Sequence, residues 1–421
     1  GAKYIEYEDE IWRRGTEKKS KSYHSIWGPV PCPRWVYLRR GESAGEQLVP
    51  LEKKAGLIGG KWTPHCAEAI TRLVQSVPTR EAVENMETVG VLPYSRSGFD
   101  NVVEMLGERW ESERNELEQE VIEAVDIAQQ AVGISVAYDR ACTPMDETEP
   151  DPEQWPNGRK QPRTIEGRMA YCATVTLHDE DGESLWTRRY ARLADKPEGF
   201  DGPGVGEWEI RDQVMWDIDT LVDRGLKREE EPVDLSERAC VLTDGGPELE
   251  RIAEEDFPDY KQLCDIRHLG EYLTGALKER GYSDAQRAIE RRKWIEHLKR
   301  HDDAIEDIEA RLEEWDGQED GSIEAALTYI DNRRQRLKGY ASAHREGLPI
   351  ASGHVEATCK SLIEMRMRRP GARWTKQTAQ AVLNFRSLAT SKTWSEGMQA
   401  VLKRFEDRSF DRCDRLCQAA A

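Results

Sequence analysis

The stretch Cys240–Leu273, CVLTDGGPELERIAEEDFPDYKQLCDIRHLGEYL, decides how the rest of the chain is read. Cys240 to Thr243 is a short apolar run that stops at Asp244-Gly245-Gly246, so it predicts a buried strand whose carboxylate emerges at the strand's C-terminal end. The two glycines allow a tight turn beside a ligand. Pro247 suits a first helical turn, and Leu249, Ile252 and Ala253 recur at helical spacing until Phe257-Pro258 closes the helix. A second strand, Tyr260 to Cys264, ends at Asp265-Ile-Arg-His268, which sets a carboxylate and an imidazole three residues apart at the mouth of a further helix. Strand, helix and strand in about thirty residues make one right-handed parallel unit. Ligands of open α/β sheets gather at the carboxyl ends of such strands, so both acidic positions are expected in one crevice.

Working outward, 421 residues suffice for two or three domains with ample core. No segment approaches the roughly 18 consecutive apolar residues of a membrane span, and the start GAKYIEYEDE lacks a signal-peptide pattern, so a soluble cytoplasmic protein is expected, with no membrane partner. Nine scattered cysteines argue against a disulfide scaffold; Cys413 and Cys417 share a helical face without partners at zinc-ligand spacing. The formal charge of -19 speaks against a nucleic-acid protein as a whole. It is uneven, however: Arg333 to Lys376 holds eleven Lys or Arg against three Asp or Glu, a local +8, leaving -27 for the remainder. By composition alone such a run is a solvated face.

Residues 1–31 are charged and show no clear period, and Cys32 to Arg40 reads as a strand. Thr63-Pro64 opens a helix with Ala67, Ile70, Leu73 and Val74 on one face. Another runs from a Thr79 cap through Ala82, Val83 and Met86 to near Gly90, and a third begins at Ser95 and presents Phe99, Val102, Val103 and Leu106. Three short helices with a glycine-containing turn before the third make a helix-turn-helix pattern, which other small helical domains share. Asp100, Glu104 and Glu108 make the third helix acidic and leave Arg96 and Asn101 as its DNA contacts. Ser112 to Ala131 predicts a linker helix, and Gly133 to Tyr138 a first strand ending at Asp139. Asp146 to Lys160 is a loop rich in Pro, Gly and acids. Met169–Leu177 and Ser184–Leu193 form a hairpin around His178-Asp-Glu-Asp-Gly182, and Trp208 to Leu226 is helical. From Glu271 to about Arg345 the pattern is helical, with Trp294, Leu298, Ile305, Ile308 and Leu312 apolar; Ala304 to Trp315 reads equally as coiled coil or solvated helix.

Asp244-Gly-Gly, the Phe257-Pro258 ending and Asp265-x-x-His268 resemble the DDE transposases of bacterial insertion sequences and of Mutator-like elements, most nearly the Kra-type insertion-sequence family. Three further stretches agree in order: Pro50-Leu-Glu-Lys-Lys-Ala-Gly-Leu57 with Thr63-Pro64, Tyr138-Asp139 with Pro144-Met145, and Gly347-Leu-Pro-Ile-Ala-Ser-Gly-His-Val-Glu-Ala-Thr-Cys-Lys360, continued by Arg373-Trp374. The agreement runs from about residue 32 to 395. The resemblance implies an α/β RNase H-like catalytic core with an all-helical insertion, preceded by a helical, helix-turn-helix-like domain. The boundaries expected are 1–62 for a region of short strands, 63–130 for the DNA-binding helices and linker, 131–270 and 346–395 for the two parts of the core, 271–345 for the insertion and 396–421 for a helical tail. The family often carries a zinc-binding cysteine pair near Cys32; with Cys32 alone, no zinc site is expected here.

A phosphodiester repels nucleophiles by its charge, and two divalent cations about 3.5–4 Å apart are the usual remedy. Carboxylates are the natural ligands for Mg²⁺ or Mn²⁺. The resemblance assigns two such ions to Asp139, Asp244 and Glu356, and adds Asp265 and His268 to the catalytic set. Among 80 acidic residues an Asp at a strand end is usually a turn former, so residue type alone selects none of them. Arg140 follows Asp139 where the family usually has Gly, which keeps Asp146 and Glu147 as alternates. His268 reads equally as a histidine capping a helix. Lys360, Arg366, Arg368, Arg369 and Arg373 are expected to hold DNA phosphates. The expected protein is a transposase acting on double-stranded DNA, its element's terminal inverted repeats and a target, as a homodimer or higher multimer on the nucleoid of a bacterium or archaeon. The alternative is a domesticated, transposase-derived DNA-binding protein that no longer moves DNA, which the charge of -19 and the acidic third helix favour.

Overall fold

The structure is a computed structural model and describes residues 2–41, 45–125, 131–149, 151, 153–154, 161–194, 205–225, 227–228, 231–232, 238–315, 321–351, 353–369 and 372–412. The chain divides into two units, Gly1–Ala124 with Trp374–Ala421, and Val125–Arg373.

Residues 1–31, without a clear period in sequence, begin with strands β1 (Tyr4–Tyr7), β2 (Glu10–Arg14) and β3 (Lys19–Ser25). The expected strand from Cys32 to Arg40 is divided between β4 (Gly28–Arg34) and β5 (Tyr37–Arg39), and β6 (Gln47–Leu48) follows. β1, β2, β5 and β6 lie side by side over a small core of Ile5, Tyr7, Trp12, Tyr37 and Leu48. β3 and β4 form a separate hairpin in which Pro29, Pro31 and Pro33 occupy alternate positions of β4. Proline has no N–H to offer a further strand, so this outer edge resists extension.

Helices α1 (Pro50–Lys54), α2 (Pro64–Val74), α3 (Thr79–Val89), α4 (Arg96–Ser112) and α5 (Arg114–Ala124) follow. Ser95 caps α4 by accepting from the Gly98 amide, and Phe99, Val102, Val103 and Leu106 are buried as their spacing predicts. α3 starts one residue earlier than its Thr79 cap implied: Pro78 is the N-cap, and Gly90 ends the helix in the left-handed region.

The second unit is organised by one mixed sheet. Its strands are β7 (Gly133–Asp146), β8 (Ile165–His178) and β9 (Ser184–Leu193), then, after α6 (Val205–Gly225) and a small pair β10 (Lys227–Arg228) and β11 (Glu231–Pro232), β12 (Ala239–Thr243), α7 (Pro247–Asp256) and β13 (Lys261–Cys264). The strand order is β13-β12-β7-β8-β9. β7, β8 and β9 are antiparallel neighbours, whereas β12 runs parallel to β7 and β13 parallel to β12. Leu249, Ile252 and Ala253 are buried on α7, as their period requires.

β7 departs from expectation, because the strand does not end at Asp139 but pairs with β8 from Gly133↔His178 to Asp146↔Ile165. Its ladder with β12 stops at Ala137, so Pro144 lies where no β12 partner needs its missing N–H.

Beyond β13 come α8 (Ile266–Glu279), α9 (Asp284–Leu298), α10 (Ala304–Glu313), α11 (Ser322–Leu337) and α12 (Tyr340–Arg345). Trp294, Leu298, Ile305, Ile308 and Leu312 are buried among them. The unit continues with α13 (Gly353–Thr358), a π-helical turn (Cys359–Glu364) and α14 (Met365–Met367).

Past Trp374 the chain belongs to the first unit, although the expected boundaries kept it with the sheet as far as 395. There α15 (Lys376–Thr390) packs on α4, with Ala381 against Gly107. The tail is not helical throughout: α16 (Trp394–Lys403) is followed by β14 (Asp411–Arg412), which pairs with β1. Cys413, Cys417 and most of the loop from Asp146 to Lys160 fall outside the described residues. The seven cysteines within them are free thiols. Among the described residues no helix is long and apolar enough to cross a membrane.

Candidate active site

Register brings the acids together. β7 and β12 are parallel with Ala137 beside Leu242, so two residues further on Asp139 stands level with Asp244. β12 and β13 are parallel with Thr243 beside Cys264, so the next step sets Asp265 level with Asp244. Parallel neighbours are about 4.8 Å apart. Three carboxylates therefore form a row along the carboxyl edge of the sheet, at chain positions far apart.

This row lines a cavity of about 690 Å³ together with Tyr138, Arg267, His268, Glu271, Arg291 and Glu356. Every position assigned to the catalytic set is present in it. The alternates are not: Asp146 and Glu147 are absent from the lining and pair with Arg163 and Arg168. Seven residues of strand separate Asp139 from Asp146, about 23 Å.

Each acid is held differently. Asp139 is half-buried and accepts from the Arg140 amide at 2.7 Å. Burial pushes its carboxyl above the usual carboxylate value, the Arg140 amide counters the rise, and the negative charges of Asp244 and Glu356 add to it. Asp244 accepts from the Gly246 amide at 2.7 Å, across a turn in which Gly245 has φ +88°. A Cβ at Gly245 would fall 2.4 Å from Nε of Arg333, which donates to the Gly245 carbonyl at 3.0 Å, so this tight turn requires glycine. Arg140 points its guanidinium to Glu248 in the first turn of α7.

Asp265 is buried and caps α8 by accepting from the Arg267 amide at 2.8 Å. His268 is part-exposed, with Nδ1 3.5 Å from Glu271, and its ring meets Tyr272 and Tyr329 edge-on. Glu356 lies on α13 and accepts from Nη1 of Arg267 at 2.8 Å. Among the described residues no three His, Cys, Asp or Glu side chains are placed to hold a metal ion. With Glu356 turned to Arg267, the acids share a cavity but do not fit a pair of cations.

The basic residues separate into groups. Lys360 is exposed on the π-helical turn, and Arg373 is exposed beside Asp146. Arg366, expected on phosphates, is 3 % exposed; the helical face it occupies turns inward with Leu362, Ile363 and Met367, so it is a structural residue and not a surface contact. Arg368 is exposed and donates to the Cys142 carbonyl at 2.6 Å and to Glu364 at 2.7 Å, and Arg369 donates to the Met365 carbonyl at 3.2 Å. Both arginines stitch this segment to its own surroundings. In the first unit Arg96 is mostly exposed and lies 3.7 Å from Asp100, one turn along α4, and Asn101 is exposed.

Arg267 and Arg291 are the cavity's arginines, and sequence reasoning missed both. Arg267 was hidden inside the Asp-x-x-His motif. Arg291 carried a usable signal: no acid stands three or four positions from it on α9, whereas Arg287 has Asp284 and Lys293 has Glu290.

No family model matches the chain, and no curated protein matches it. Among solved structures it is similar to a Drosophila P element transposase strand transfer complex, at 10% identity over 81% of this chain and 83% of that one, with a TM-score of 0.29. At that TM-score the likeness carries no weight for fold or activity.

Proposed function

We propose that this chain is a DDE-type transposase that cuts double-stranded DNA at the ends of its own element and joins the freed 3′-hydroxyl to a target. The observation that supports this reading is the row of Asp139, Asp244 and Asp265 on adjacent parallel strands, facing Glu356 and His268 across one cavity. Asp139, Asp244 and Glu356 are separated by 105 and 112 residues, so local turn chemistry does not account for their convergence. The strand order, three antiparallel strands followed by two parallel ones, agrees with an RNase H-like core, and helices α8 to α12 follow β13 in the chain.

The reading calls for Mg²⁺ or Mn²⁺, two ions in all, as the agents that stabilise the attacking and leaving oxygens. As placed, the acids do not fit such a pair, and the protein's own groups bind and orient the DNA. His268, an imidazole at the rim, is suited to orient the scissile phosphate or accept a proton. Lys360 and Arg373 are exposed cations of the basic segment suited to contact flanking phosphates. Strand cleavage of a duplex carrying the element's terminal inverted repeats, with and without Mg²⁺, tests the proposal. Wild type should cleave only with the ion, Asp244→Asn should bind the duplex without cleaving it, and His268→Ala should slow cleavage by roughly 10²- to 10⁴-fold.

One observation favours the second reading, a domesticated DNA-binding descendant: Glu356 is engaged by Arg267, and among the described residues no three acids are set for a metal. Duplex binding without Mg²⁺-dependent cleavage would select it.

A further inference from the structure

α9 carries six Lys or Arg between Asp284 and Arg300, counting its C-terminal cap region, and four of them are neutralised along the helix: Arg287 by Asp284, Lys293 by Glu290, and Lys299 and Arg300 by Glu296. Arg291 and Arg292 have no hydrogen bond or ion pair among the described residues. Only the first of these two lines the cavity. Its aliphatic stem packs on α8 at Gly270, where an added Cβ would lie 3.6 Å from Arg291 Cδ, and Gly270 lines the same cavity.

In a chain with 80 acids against 61 bases, a guanidinium left unpaired in an acid-lined cavity calls for an anionic ligand. A second guanidinium lines the cavity, that of Arg267, whose bond to Glu356 is between groups about 60 % exposed. A planar fork of N–H donors matches phosphate oxygens bidentately. We infer that Arg291, together with Arg267, clamps a backbone phosphate of duplex DNA in this cavity, which makes α9 a substrate-positioning element. The inference rests on the function proposed above for the same cavity. Arg291 is a positioning residue: it offsets the repulsion between the acid row and the phosphate and fixes where the phosphate lies.

The test is fluorescence anisotropy of a labelled 30-base-pair duplex titrated with the full chain in EDTA over a series of salt concentrations. Arg291→Ala should weaken binding and reduce the slope of log affinity against log salt by about one, as expected when one phosphate contact is lost. Arg291→Lys should keep the slope, and Arg292→Ala, just outside the cavity, should leave both quantities unchanged. An unaltered slope in Arg291→Ala, or an equal fall in Arg292→Ala, overturns the clamp, as does absence of duplex binding by wild type. Because the titration contains no divalent ion, it is independent of cleavage: loss of slope in a chain that never cleaves keeps the clamp and removes the transposase reading, and an unchanged slope in a chain that does cleave does the reverse.

Discussion

Nη1 of Arg267 donates to Oε2 of Glu356 at 2.8 Å, joining the first turn of α8 to α13 across 89 positions of sequence. Both side chains are about 60 % exposed, and ion pairs of that kind contribute about 0.2–1 kcal/mol. Arg267→Gln should therefore lower unfolding stability by less than about 1 kcal/mol in urea titrations, and 1 M salt should erase the difference. A loss above roughly 2 kcal/mol would mean that the pair holds the fold and does not merely aim Glu356.

Asp139 sits where burial raises its carboxyl in the folded state. The folded chain thus binds that proton more tightly than the unfolded chain does, and stability falls as pH rises from the usual carboxylate value to the raised one. Asp139→Asn removes the charge at nearly constant shape. It should melt higher than wild type at pH 7, by roughly 2–4 °C for each kcal/mol relieved, and equally at about pH 3 where both are neutral. Equal melting temperatures at pH 7 would count against the buried carboxylate.

The basic segment should split into structural and surface cations. Arg366 is 3 % exposed, so Arg366→Glu should cost about 3–5 kcal/mol by leaving buried charge uncompensated. Lys360 is exposed, and Lys360→Glu should stay within about 0.5 kcal/mol of wild type while lowering the salt dependence of duplex binding. Denaturation of the two variants under one condition decides it; equal stabilities would be the wrong result.

Gly107 lies mid-way along α4, where helix propensity alone favours Gly→Ala by about 1 kcal/mol. A Cβ there would fall 2.3 Å from Cβ of Ala381 on α15, and overpacking of a closed helix contact costs typically 1–3 kcal/mol. The clash should win, so Gly107→Ala is expected to destabilise the chain and the double variant Gly107→Ala/Ala381→Gly to recover most of the loss. A stabilised single variant would show that the two helices can part freely.

What the sequence determined by itself is local. The start of α4 at Ser95, its buried face, and the run β12–α7–β13 through Asp244 to Asp265 follow from caps, turn glycines and periods that act within one or two turns of chain. Each needs only neighbours in sequence. Tertiary structure alone decided the rest. β7 passes through Asp139 to Asp146 because β8 supplies a cross-strand partner at every position, which no period within Gly133 to Tyr138 announces. Arg366 looked like one more cation in a basic run until its helical face turned inward. Trp374 onward joined the first unit because Ala381 finds Gly107, a match between two surfaces rather than between neighbouring residues. Arg267 likewise met Glu356 only once α8 and α13 had been packed, since an ion pair 89 residues apart is fixed by the surfaces folding leaves adjacent and not by spacing along the chain.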